Sequence, residues 1–146
     1  MNILIIGATS GIGHELWQYY AAKENRVAIT GRRKDILDEM INEYPKNTYA
    51  LQCDISDLPS SDVMIQDVIS KFGKLDLAII CAGIGELNPN LEISTELATL
   101  SVNVTGWTYA VDSIYKIFER QKSGHLVTIT SVGGMQPTPL APSYSA

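Results

Sequence analysis

The sequence predicts an α/β fold built on one doubly wound parallel sheet. Three observations predict it. Short apolar runs alternate along the chain with stretches whose apolar residues recur every three or four positions. The first run, residues 3–6, empties into glycines spaced G-x-x-x-G-x-G at Gly7, Gly11 and Gly13. The later runs end in Thr30-Gly31-Arg32-Arg33, Cys53-Asp54-Ile55 and Cys81-Ala82-Gly83. Small and polar residues just past the strands are what the ligand crevice of such a sheet requires.

Residues 3–6 read as strand one, and the glycine turn leads into a helix with Ile12, Leu16, Tyr19 and Tyr20 on one face. Residues 26–30 form strand two. Ile36, Leu37, Met40, Ile41 and Tyr44 make the next helical stripe, stopped by Pro45. Residues 48–52 form strand three, and Ile65, Val68, Ile69 and Phe72 mark a helix closed by Gly73. Residues 75–81, nearly all apolar, form a strand covered on both faces. A long helix over residues 94–120 carries Leu97, Leu100, Val104, Trp107, Val111, Ile114 and Phe118 as one broad stripe. Most of that stripe suits the sheet, and the remainder suits a helix from a second subunit. Residues 126–130 form strand five, followed by a loop stiffened by Pro137, Pro139 and Pro142.

Alternation of this kind gives right-handed crossovers and helices on both faces of the sheet. The expected architecture is a Rossmann-type sheet of five strands in the order 3-2-1-4-5, in a single domain over residues 1–146, with its crevice between strands one and four.

The bulk composition narrows the function. The formal net charge is −5 and no basic run appears, which argues against a nucleic-acid partner. No apolar stretch approaches the roughly 20 residues of a membrane span. The chain enters its first strand with no signal-peptide pattern, and Cys53 and Cys81 read as reduced thiols, so a cytoplasmic protein is expected. His14 and His125 stand alone, and no metal-ligand spacing is present.

The strand ends carry the chemistry. The start of a helix offers unpaired N–H groups and a partial positive charge, which together hold a pyrophosphate. Glycine lets the phosphates approach where a Cβ would clash. Gly7, Thr9, Ser10, Gly11, Ile12 and Gly13 are therefore the candidate residues for the dinucleotide turn. The spacing is neither G-x-G-x-x-G, because Thr9 replaces the second glycine, nor a P-loop, because no Gly-Lys-Ser/Thr follows. An NAD site places Asp or Glu after strand two to hold the ribose 2′-OH. This chain has Arg32 and Arg33 there, which suit a 2′-phosphate and hence NADP(H). The alternative is two solvated arginines at a helix start, where cations are disfavoured. Asp54 suits the adenine amino group, with Ile55 beside the ring, and suits a turn or helix cap equally well. Cys81, Ala82 and Gly83 let the backbone lie against a flat cofactor.

These motifs resemble the N-terminal part of the short-chain dehydrogenase/reductase family. Gly7-Ala8-Thr9-Ser10-Gly11-Ile12-Gly13 resembles its T-G-x-x-x-G-I-G turn, with Ile6 where threonine is usual. Ile80-Cys81-Ala82-Gly83 resembles its N-N-A-G motif with both asparagines replaced. Asn103, Ser131 and Tyr144 match its catalytic asparagine, serine and tyrosine; Tyr144 lies 13 residues after Ser131, and Asn103 lies 28 before it.

The resemblance implies an NADP(H)-dependent oxidoreductase interconverting a small-molecule carbonyl and an alcohol. The tyrosine exchanges the proton, the serine holds the substrate oxygen, and the asparagine helps to hold a water. It also implies a lysine four residues after the tyrosine, and Ala146 is the last residue here. The expectation is therefore a C-terminally truncated chain, inactive as it stands, with strand five at an exposed edge and a homo-oligomer formed through helix 94–120. A non-catalytic NADP(H)-binding module, or a dimerising structural remnant, is the alternative.

Overall fold

A computed structural model describes residues 1–145; Ala146, the last residue of the expected domain, lies outside the described residues. In chain order the elements are β1 (Asn2–Ile6), α1 (Gly11–Ala21), β2 (Arg26–Gly31), α2 (Lys34–Glu43), β3 (Thr48–Gln52), α3 (Leu58–Phe72), β4 (Leu77–Ile80), α4 (Ile93–Leu100), α5 (Trp107–Gln121), β5 (His125–Thr128) and α6 (Pro142–Ser145). The five strands are parallel and run in the order β3-β2-β1-β4-β5, as the sequence predicts. β1 is central, with Ile3 paired to Val27 on one side and Leu77 on the other. β5 lies at an edge.

The two-residue period of the strands divides the core. Ile3, Ile5, Val27 and Ile29 face α1 and α2, where they meet Trp17, Ala21, Leu37 and Met40. Leu4, Ile6, Ala78 and Ile80 face α3 and α5, where they meet Ile65, Val68, Ile114 and Phe118. Because both faces are covered, β1 and β4 contain little but buried apolar residues.

Three sequence expectations are corrected. The buried face of α1 is Gly13, Trp17 and Ala21; Ile12 is 57% exposed and Tyr19 54% exposed. Gly13 sets this phase. A Cβ there would overlap the Gly7 carbonyl oxygen, so Gly13 faces inward, and Trp17 and Ala21 follow at four-residue steps.

The second correction concerns the helix over residues 94–120. Ser101–Gly106, between α4 and α5, is a π-helical segment. Its wider turn rotates the inward face, so Thr99, Val102, Gly106 and Ala110 are buried while Leu97 is 55% exposed and Leu100 and Val104 lie outside the core. Trp107 and Val111 pack partly against the core, and the expected stripe coincides with the observed one only at Ile114 and Phe118. Gly106 is required where it stands, because a Cβ would come within 2.5 Å of the Ile55 carbonyl oxygen.

The third is Pro142, which does not break structure but opens α6. Proline suits a first helical position, where its missing N–H has no intrahelical partner to lose.

Candidate cofactor cleft and active site

The C-terminal ends of β1, β2 and β4 meet at Gly7. The N–H groups of Gly7 and Ala8 both donate to the Thr30 carbonyl, at 3.0 and 2.9 Å, and Cys81 N–H donates to the Ile6 carbonyl at 2.8 Å. Gly7 has φ +87°, and a Cβ there would lie 2.5 Å from Ala82 N. A side chain is excluded on both counts.

Beyond this junction opens a cleft of about 380 Å³. Ten residues singled out from the sequence form part of its wall: Gly7, Thr9, Ser10, Arg32, Arg33, Asp54, Ile55, Cys81, Ala82 and Gly83. Gly11, Ile12 and Gly13 lie outside the wall; Gly13 packs α1 onto the turn instead. Ile6, Thr30, Gly31, Cys53, Ile84 and Val102 join the wall without having been singled out. All but Ile84 and Val102 lie at or directly after a predicted strand end, which is the signal that finds them. α1 has no side-chain cap on its first N–H groups, and its N-cap Ser10 lines the cleft.

The two arginines take different partners. Arg33 donates to Thr9 Oγ1 from Nε at 3.3 Å and from Nη2 at 3.1 Å. Arg32 lies 3.9 Å from Asp54; the Arg32 side chain is largely exposed and that of Asp54 is more than half buried. Asp54 Oδ1 accepts from Ser56 N–H at 3.0 Å and Ser56 Oγ at 2.7 Å, which closes a turn after β3. Burial works to raise the Asp54 carboxyl. The Ser56 hydrogen bonds and the charge of Arg32 outweigh it and hold the group below its ordinary value. Burial pushes the Cys81 thiol up to about 11, so it stays protonated at neutral pH. These features fit a nicotinamide dinucleotide: a glycine junction a Cβ would fill, an uncapped helix start, and two guanidinium groups in the wall.

Asn103 lies in the π-helical segment. Its Oδ1 accepts from Ile84 N–H at 2.9 Å and its Nδ2 donates to Ile84 C=O at 2.7 Å. Both polar ends are thus committed to the backbone of a cleft residue, so Asn103 positions the wall. Ser131 precedes a 3₁₀ turn, Val132–Gly134, and its Oγ accepts from Gly133 N–H at 3.1 Å. That bond leaves the Ser131 hydroxyl proton able to donate.

Tyr144 lies on α6. Its ring packs on Gly85, where a Cβ would come within 2.5 Å of the ring carbon Cδ2, and on Gly133. A Cβ on Gly133 would lie 3.0 Å from Tyr144 Cε1 and 3.4 Å from Ser131 Oγ, so Tyr144 and Ser131 flank one point. Gly85 directly follows cleft residue Ile84. Asn103, Ser131 and Tyr144 are not themselves part of the cleft wall: Asn103 binds wall residue Ile84, Tyr144 rests on the adjoining Gly85, and Ser131 meets Tyr144 at Gly133. Among the described residues, no group of three or more His, Cys, Asp or Glu is placed to hold a metal ion. No helix among them is long and apolar enough to cross a membrane.

With the turn, the paired arginines and the serine–tyrosine pair in place, the chain can be compared with known proteins. The family model for short chain dehydrogenases matches residues 1–146, and the chain belongs to that family. An uncharacterized oxidoreductase of Staphylococcus haemolyticus is 27% identical over 146 residues, covering 98% of this chain and 63% of the relative. A 3-oxoacyl-acyl-carrier-protein reductase of Synechocystis is 29% identical over 149 residues, covering 98% of this chain and 60% of the relative. The chain thus spans less than two thirds of the length of these relatives.

Solved structures share the fold. Serine dehydrogenase from Escherichia coli superposes with a TM-score of 0.90 at 23% identity, over 99% of this chain and 68% of that one. ElxO with NADP bound gives 0.87 at 24% identity, over 99% of this chain and 60% of that one.

Proposed function

We propose that the protein is an NADP(H)-dependent oxidoreductase that interconverts a carbonyl and an alcohol on a small molecule. The observation that carries the reading is the convergence of Ser131 and Tyr144 on Gly133, with the Tyr144 ring on Gly85, the residue after Ile84 in the wall of a cleft that also holds Arg32 and Arg33. Family membership and the NADP bound to ElxO, a neighbour in fold, support it.

Arg32 and Arg33 would take the 2′-phosphate, with Thr9 holding Arg33 in place. Gly7 and Ser10, at the α1 start, would hold the pyrophosphate. Asp54 and Ile55 would take the adenine, and Ala82 and Gly83 would face the nicotinamide side. When bound, the nicotinamide exchanges a hydride with the carbonyl carbon. In the reducing direction Tyr144 O–H gives its proton to the carbonyl oxygen, and Ser131 O–H donates a hydrogen bond to the same oxygen. Asn103 holds Ile84 and so fixes the wall beside them.

Following NADPH oxidation by the full-length protein against a panel of ketones and aldehydes tests this. Turnover that falls at least about a hundredfold in Tyr144→Phe is expected, with NADPH affinity kept. NADPH binding with no turnover of any carbonyl identifies a non-catalytic binding module instead.

The reading extends to a second copy of the chain. Leu97, Leu100, Val104 and Tyr115 are exposed apolar residues on the α4–α5 rod, which suits pairing with the same face of another subunit. Sedimentation across a concentration series is expected to give a dimer that Leu97→Lys with Val104→Lys converts to monomer. A wild-type monomer at every concentration overturns this extension.

A further inference from the structure

Tyr144 lies in the first turn of α6, whose first residue, Pro142, has no N–H. The first donor of this helix is therefore Ser143 N–H, directly before Tyr144. That N–H donates to Glu96 Oε2 at 2.9 Å, and the Ser143 hydroxyl donates to the same oxygen. Glu96 lies in the first turn of α4, 47 residues away in sequence. Its other oxygen, Oε1, accepts from Asn88 Nδ2 at 2.5 Å.

Asn88 is only 4% exposed, and every polar group of its side chain is engaged. Nδ2 also donates to Glu92 C=O at 3.0 Å, and Oδ1 accepts from Glu92 N–H at 2.8 Å. The Asn88 backbone N–H reaches across to Leu140 C=O at 2.6 Å. The same loop after β4 supplies Gly85, on which the Tyr144 ring rests. One carboxylate thus ties together the loop under the tyrosine ring, the start of α4 and the residue that precedes the tyrosine.

We propose that Glu96 is a positioning residue for Tyr144: its carboxylate caps α6 through Ser143 and, braced by Asn88, seats the phenol against Gly85 and Gly133 beside Ser131. The significance for catalysis rests on the reading of Tyr144 as the proton donor; the positioning itself does not. Hydrogen bonds from the Ser143 and Asn88 side chains hold the Glu96 carboxyl below its ordinary value, so it is an ionised acceptor at neutral pH. An ionised acceptor makes the stronger hydrogen bond, and at a helix start it also meets the positive end of the helix dipole. Glu96 is not part of the cofactor cleft wall, so positioning and cofactor binding separate experimentally.

The test is the ring resonance of Tyr144 in the protein labelled with ¹³C-tyrosine, assigned by its loss in Tyr144→Phe. In Glu96→Ala this resonance is expected to move toward the position of free tyrosine, while those of the core-packed Tyr20, Tyr44 and Tyr49 hold. Exchange at Ser143 N–H is expected to speed up about tenfold or more. Glu96→Gln, which keeps one acceptor oxygen, is expected to fall between. NADPH affinity is expected to stay within about twofold, and where the protein turns over, kcat is expected to fall with KM for NADPH unchanged.

A Tyr144 resonance and a Ser143 exchange rate unmoved by Glu96→Ala overturn the proposal. If Glu96→Ala does not fold, Ser143→Ala decides, since it removes only the hydroxyl bond: a selective shift at Tyr144 supports the proposal and no shift overturns it. Turnover that survives Tyr144→Phe overturns the catalytic reading and leaves the ring measurement to judge Glu96 alone.

Discussion

The side chain of Asn103 pairs with the backbone of Ile84 as a neighbouring strand would, accepting from its N–H and donating to its C=O across 19 residues of sequence. β4 ends at Ile80, so Ile84 has no strand partner of its own. Asn103 supplies one from within a helix, at the stretch where that helix takes π form. The pairing links the rod of α4 and α5 to the cleft.

Replacing Asn103 with alanine strands both polar groups of a half-buried peptide. Asn103→Ala is expected to lower stability by about 1–3 kcal/mol. Asn103→Asp retains the acceptor for Ile84 N–H but sets a carboxylate oxygen against Ile84 C=O, and is expected to be no better. Urea denaturation measures the loss, and hydrogen exchange at Ile84 N–H locates it. Wild-type stability and protection in Asn103→Ala would show that the clamp is idle.

The phase of α1 is tested by a contrast between two large side chains. Trp17 is fully buried, and its Nε1–H donates to Thr48 Oγ1 at 2.9 Å. Trp17→Ala is expected to destabilise by about 3–5 kcal/mol. Ile12 projects outward, and Ile12→Ala is expected to change stability by no more than about 0.5 kcal/mol. Thermal or urea melts of the two variants decide it; comparable losses would place the buried face where the apolar pattern alone puts it.

That contrast also marks how far the sequence is legible. The strand order, the five strands and the cleft position follow from local pattern: apolar runs of strand length, helical stripes between them, and glycines at the first junction. Where contacts between distant segments decide, the pattern misleads. Ile12 and Tyr19 look like core residues until Gly13 is seen against Gly7, which turns them outward. Leu97, Leu100 and Val104 continue a regular stripe only if the helix is regular, and the π-helical segment breaks it at Asn103. Asn103, Ser131 and Tyr144 are legible only through the resemblance to the short-chain dehydrogenase/reductase family, whose separations they share. Glu96 carries no such signal, because its partners Asn88 and Ser143 are defined by the fold alone. The two arginines were identified by the lack of an acid beside them, and their separate partners, Thr9 and Asp54, emerge only in three dimensions.

Recognition of a 2′-phosphorylated dinucleotide through Arg32 and Arg33 is decided by calorimetric titration of the protein with NADPH and with NADH, repeated on Arg32→Ala and Arg33→Ala. NADPH is expected to bind at least about tenfold more tightly than NADH, and each variant is expected to lose about 1.5–3 kcal/mol of NADPH binding, roughly ten- to a hundredfold, while NADH affinity barely changes. Equal affinity for the two cofactors in the wild type, or a preference untouched by either substitution, would contradict it.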